Sequence, residues 1–179
     1  WQKRWPAPRA RSSRVVGEMG DGSLARAATR SKQAATQQEQ GFLKGGVVGT
    51  LMTNLAMEHA LAKLGIPFAR ARVGDRYVLE LMQERGWMLG GENSGHILCL
   101  DRHTTGDGII SALQVLEALK LSGKSLSEFT QELVLYPQIL INVRVEKNFD
   151  FKSCIPLQEV QAQAEQALDG EGRVLLRPS

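Results

Sequence analysis

The chain has 179 residues and a mass of 19.7 kDa, with 42% apolar and 23% charged residues. Those proportions exclude a wholly disordered chain, a collagen and a coiled coil, and no apolar run approaches the roughly 18 residues of a membrane-spanning helix. The formal charge of +3 is unevenly placed: residues 1–40 hold eight Lys/Arg against three Asp/Glu, whereas 41–179 hold fourteen against sixteen, which argues against a nucleic-acid surface on the larger part.

Residues 1–40 do not read as a folded element. Pro6, Pro8, Gly17, Gly20 and Gly22 interrupt the first stretch, and Ser23–Gln40 is rich in Ala, Gln, Thr and Arg. Alanine allows a helix there by propensity, but large apolar residues are almost absent, so a weak exposed helix or disorder is expected. There is no initiator Met and no apolar core of a secretory signal. The Arg- and Ser-rich start leaves open an organelle transit peptide, a gene-fragment artefact or a basic tail for nucleic acid.

From Gly41 the texture changes. Val47–Thr50 predicts a buried strand. Asn54–Leu64 predicts a helix stopped at Gly65. Pro67–Val73 alternates as a strand, with Arg70 and Arg72 on one face. Asp75–Arg85 predicts a helix from Val78, Leu81 and Met82, stopped at Gly86. Trp87–Leu89 and His96–Leu100 predict two strands joined by the Gly90–Gly95 turn. Asp107–Leu121 gives the clearest helical pattern, with Ile109, Ile110, Leu113, Leu116, Ala118 and Leu119 as an apolar stripe and Asp107 at its positive end. Ser125 and Glu128 form a capping-box pattern before a short helix to Leu133. After Tyr136–Pro137, Gln138–Val145 alternates Ile139, Ile141, Val143 and Val145 as a strand. Leu157–Leu168 predicts an amphipathic helix, and Gly172–Leu176 the start of a further strand. The order is that of an α/β domain followed by an unfinished α+β unit, and the chain is expected to be truncated at its C-terminus.

Few clusters carry chemistry. Gly90-Gly91-Glu92-Asn93-Ser94-Gly95-His96 offers a carboxylate, an amide, a hydroxyl and an imidazole within five residues, a set suited to a vicinal diol whose hydroxyls both donate and accept. A plain hairpin tip is the alternative, since turns favour Gly, Asn and Ser. Asp107, at the end of His103–Asp107, reads as a helix cap rather than part of a phosphate site. Arg70, Arg72 and Arg76 either guide an anionic ligand or guard a solvated strand edge. Cys99 and Cys154 are too few for a disulfide framework, which favours a reducing, cytoplasmic setting. Cys99 itself reads as a small buried hydrophobe. The three His are scattered and show no zinc spacing.

Gly46–Asn54, Val73–Val78, Gly91–His96 and Thr104–Ile109, in this order, resemble the third domain of the α-D-phosphohexomutase family. Gly46–Asn54 and Val73–Val78 favour its phosphoglucosamine mutase branch over phosphoglucomutase and phosphomannomutase. Gly172–Ser179 resembles the start of the phosphate-binding loop of the family's fourth domain. The resemblance implies a three-layer α/β sugar-binding domain over 42–134 and the start of the phosphate-binding domain over 135–179, with 1–41 unmatched and basic. It implies sugar contacts from Glu92 and Ser94 with His96 beside them, and phosphate contacts from Arg177 and Ser179; Asn93 of the same turn and Arg76 of the arginine cluster complete the expected substrate-binding set.

The family reaction passes a phosphoryl group between a phosphoserine and a sugar phosphate, interconverting glucosamine 6-phosphate and glucosamine 1-phosphate, with Mg2+ in an Asp-rich loop. Neither the serine loop nor the Asp-rich loop occurs in this sequence; Met19-Gly20-Asp21-Gly22 supplies one carboxylate of three. The chain is therefore expected to keep sugar recognition without turnover. A sugar-phosphate-binding module without chemistry is the alternative reading. No oligomeric state is implied.

Overall fold

The computed structural model describes residues 21–131, 133–146 and 148–177. Its helices and strands run in the order α1 (Asp21–Glu39), β1 (Val47–Thr50), α2 (Leu55–Lys63), β2 (Phe68–Ala71), α3 (Asp75–Arg85), β3 (Leu89–Gly91), β4 (Ile97–Cys99), α4 (Gly108–Ser122), α5 (Leu126–Gln131) and α6 (Ile155–Leu168). The sheet order is β2-β1-β3-β4. β1 is parallel to β2 and β3, and β4 returns antiparallel to β3, with Gly91 opposite Ile97.

Strand alternation makes the three layers. Val47, Leu89, Ile97 and Cys99 point to one face, where they meet Met57 and Leu61 of α2 and Ala34 of α1. Val48 and Leu98 point to the other, against Val78 and Met82 of α3. Burying each such side chain contributes about 1.5–3 kcal/mol. Local signals set the helix ends. Asn54 Oδ1 accepts from Ala56 N–H and caps α2, Gly86 ends α3 in the left-handed region, and Asp107 caps α4. Ser125 and Glu128 form the expected capping box, with Ser125 N–H donating to Glu128 Oε2 at 2.9 Å.

Four expectations are corrected. Of the segment expected to stand apart from the domain, Asp21–Glu39 does not, because α1 packs against α2, α4, α5 and β3. It buries Arg30, Ser31, Gln33, Ala34 and Thr36, a helical face spelled largely in polar residues. Residues 1–20, including Met19 and Gly20, lie outside the described residues. On α4, Ser111, Gln114 and Ala118 face inward while Ile109, Leu113 and Leu116 are exposed. Ser111 Oγ donates to Ile97 O at 3.1 Å and ties that side of the helix to β4. Gln138–Val145 forms no strand, with Ile139 86% and Ile141 75% exposed. Among the described residues it has no neighbour to complete a ladder, which alternation alone does not supply. Gly172–Leu176 likewise forms no strand.

No helix among the described residues is long and apolar enough to cross a membrane.

Candidate sugar-facing loop

β1 connects to β2 on one side and lies beside β3 on the other, so the carboxyl ends of β1 and β3 form the switch point of the sheet. Open α/β sheets bind ligands outside the strand ends at such a point. Two segments meet there: the turn Leu51–Asn54 after β1 and the loop Glu92–His96 after β3. Asn93 Nδ2 donates to Met52 O at 2.8 Å and joins them.

The loop is built by its glycines. A side chain at Gly90 would strike Met82 Sδ at 2.5 Å, and one at Gly91 would strike His96 O at 2.4 Å, so the backbone lies closer to α3 and β4 than any other residue permits. Glu92 N–H donates to His96 O at 3.1 Å and extends the ladder past β3. Gly95 N–H then donates to Glu92 O at 3.2 Å and closes a four-residue turn.

This turn brings Glu92, Ser94 and His96 together. Ser94 Oγ donates to Glu92 Oε1. His96 Nδ1 lies 3.0 Å from Ser94 Oγ and 3.1 Å from Glu92 Oε1. A proton on Nδ1 satisfies both contacts, because an unprotonated Nδ1 would set its lone pair against the carboxylate oxygen. The Glu92 side chain is 12% exposed, whereas Ser94 and His96 open to solvent. Ser94 Oγ, exposed and donating to Glu92, is thus placed to accept from a neighbouring hydroxyl.

The other predicted site residues fall elsewhere. Arg76 is 81% exposed and pairs with Glu80 on its own helix at 2.9 Å, a bond that raises its pKa. Arg72 stacks on Tyr77, 3.8 Å from the ring centroid. Arg70 binds Glu58 at 2.6 Å. The three arginines therefore do not converge. Arg177 is exposed, and Ser179 lies outside the described residues. Among the described residues no group of three His, Cys, Asp or Glu side chains could hold a metal, so they do not fit a Mg2+ site.

Sequence reasoning missed Arg30, which is 1% exposed and packs behind Gly91, and Arg173, whose Nη2 donates to Leu51 O. Arg30 sits in no motif; Arg173 lies in the Gly172–Ser179 stretch, but its contact spans 122 residues.

Comparison with known proteins agrees with this architecture. Residues 20–136 match the family described as phosphoglucomutase/phosphomannomutase, alpha/beta/alpha domain III. The match takes in α1, which the sequence reading had left outside. A phosphoglucosamine mutase of Nitrosospira multiformis is 64% identical over 146 residues, covering 82% of this chain and 32% of that protein. One from an Azoarcus species is 59% identical over 163 residues, covering 91% and 35%. The chain thus spans about a third of the length of the curated relatives it matches. A putative phosphomannomutase from Thermus thermophilus superposes with a TM-score of 0.54 at 24% identity, covering 59% of this chain and 24% of that one, a likeness of fold.

Proposed function

The chain belongs to the phosphoglucomutase/phosphomannomutase family, and on that footing we propose that Glu92 and Ser94 hold the ring hydroxyls of a glucosamine phosphate in a protein that interconverts glucosamine 6-phosphate and glucosamine 1-phosphate. The observation that carries this reading is the convergence of Glu92, Ser94 and His96 at the sheet's switch point, with Ser94 and His96 open to solvent and Glu92 largely covered. A carboxylate accepts from one hydroxyl, and Ser94 Oγ, whose proton goes to Glu92 Oε1, accepts from the next. His96 keeps Glu92 oriented, and Asn93 fixes the turn to the carbonyl of Met52. Arg177 and Ser179 supply the phosphate end, where a guanidinium fork meets phosphate oxygens in two places.

These residues bind and orient. The phosphoserine and Mg2+ loops that complete the reaction have no counterpart in the 179 residues, and transfer of a phosphoryl group needs such cations and a nucleophile in place. The chain should therefore bind without turning over. A cytoplasmic location and a place in amino-sugar supply for cell-wall precursors belong to the same reading.

Titration of the chain with glucosamine 6-phosphate, followed by NMR, tests it. Affinity should lie near the millimolar level or weaker, about 4 kcal/mol or less. Glu92→Ala should weaken it by about 10-fold or more, and Ser94→Ala by about 5-fold. Equal affinity of wild type and both variants would sink the sugar assignment, and equal binding of glucose 6-phosphate would remove the amino-sugar preference. Turnover by the chain would overturn the division between binding and chemistry.

A further inference from the structure

The turn after β1 presents four consecutive carbonyls, and a side chain caps each of them. Thr50 O and Thr53 O accept from Arg70 Nη1 at 3.1 and 2.8 Å. Leu51 O accepts from Arg173 Nη2, and Met52 O accepts from Asn93 Nδ2 at 2.8 Å. The donors come from β2, from the loop after β3 and from the segment 172–177. The carboxyl end of a strand carries carbonyls that its own ladder does not use, and planar guanidinium donors suit such a row.

We infer that Arg173 is a positioning residue, latching the segment 172–177 to the turn that Asn93 joins to the sugar-facing loop. Arg177 follows four residues later, at most about 14 Å along an extended chain. With Arg173 seated on Leu51, the phosphate-facing end and the sugar-facing end are referred to one stretch of backbone. The latch is partly desolvated, and both burial and the nearby Arg70 disfavour the charge on Arg173. Glu58, held by Arg70 at 2.6 Å, offsets that repulsion. A second tie shares the turn: Asn54 Nδ2 donates to Tyr136 O at 2.8 Å, and Tyr136 N–H donates to Asn54 Oδ1 at 3.2 Å. The connector and the C-terminal segment are thus both fastened to residues 51–54. The ligand half of this inference rests on the sugar-phosphate reading; the latch does not.

The test uses the whole 179-residue chain, comparing wild type with Arg173→Met and Arg173→Lys by 1H–15N NMR. Without ligand, Arg173→Met should move the amide signals of Leu51, Met52 and Thr53 and the side-chain amide of Asn93. Signals of Leu61 and Val78 should stay in place, and Arg173→Lys should recover part of the wild-type pattern. Unmoved signals at 51–53 and Asn93, or a change spread evenly through the core, would overturn the latch. Titration with glucosamine 6-phosphate and with glucosamine then tests the coupling. Two-point recognition makes the wild type prefer the phosphorylated sugar, and Arg173→Met should bring that ratio to unity with glucosamine affinity unchanged. Retention of the wild-type ratio by Arg173→Met would overturn the coupling, as would its absence in the wild type. Signals that move in Arg173→Met, together with a wild-type chain that binds neither sugar, would support the latch and defeat the sugar-phosphate reading.

Discussion

β1 and Gln138–Val145 form a controlled contrast. The first has four residues, of which one is glycine, and all four are buried with a neighbour on each side. The second has eight residues with a longer and more regular alternation of β-branched side chains, and all eight are exposed. Period-two patterning gives a chain the capacity to lie in a sheet; a ladder partner and a covering layer convert it into stability.

Three measurements sharpen or break that contrast. Cys99 lies in β4, and burial pushes its thiol up to about 11 despite the Gln33 amide 3.3 Å away, whereas Cys154 sits half-buried before α6. At pH 8 the thiolate of Cys99 is then about one part in a thousand. A disulfide reagent should label Cys154 promptly and Cys99 only as the domain opens; simultaneous labelling would erase the distinction between the regions.

Next in size are paired truncations. Leu61→Ala in the core should cost about 2–5 kcal/mol, whereas Ile141→Ala should cost about 0.5 kcal/mol or less. Urea unfolding compares them directly, and a matching loss at Ile141 would mean that its segment is packed after all.

The smallest effect concerns α4, an element of the paired region that still turns apolar residues outward. Backbone N–H groups of Ile110 and Ile109 hold the Asp107 carboxyl below its ordinary value of 3.8. A depressed native value means stability that is present above the unfolded value and fades as pH falls through the native one. Asp107→Asn keeps a capping oxygen but cannot titrate, so its acid unfolding curve below 3.8 should be shallower than that of the wild type. Superimposable acid limbs would show that this cap does not bear on the domain.

The helices with sharp ends were legible before any coordinates: α2 from Asn54, α3 from Gly86, α4 from Asp107. Their signals are local, each lying within a turn of the residue it affects. α1 was illegible because its inward face is written in Arg30, Ser31, Gln33 and Thr36, and a helical face is recognised by large apolar residues. The stripe on α4 misled for the converse reason, since Ser111 anchors the helix through hydrogen bonds that hydropathy does not register. At the candidate site, Glu92, Ser94 and His96 could be grouped because a single tight turn contains them. The donors that brace the neighbouring turn after β1 could not, since Arg70 and Arg173 reach it from separate parts of the chain. Arg76, grouped with the site by sequence proximity to Arg70 and Arg72, instead serves its own helix through Glu80.

The capped carbonyls after β1 bear on when the molecule matures. Asn93 reaches Met52 across 41 positions and Arg173 reaches Leu51 across 122, whereas the caps of α2 and α4 close over two or three. Closure entropy rises with separation, so during refolding the short-range hydrogen bonds are made early and the brace on the recognition turn late. Regain of helical signal would therefore precede competence to hold a ligand, and a nascent chain leaving the ribosome would complete its brace only once Arg173 had emerged.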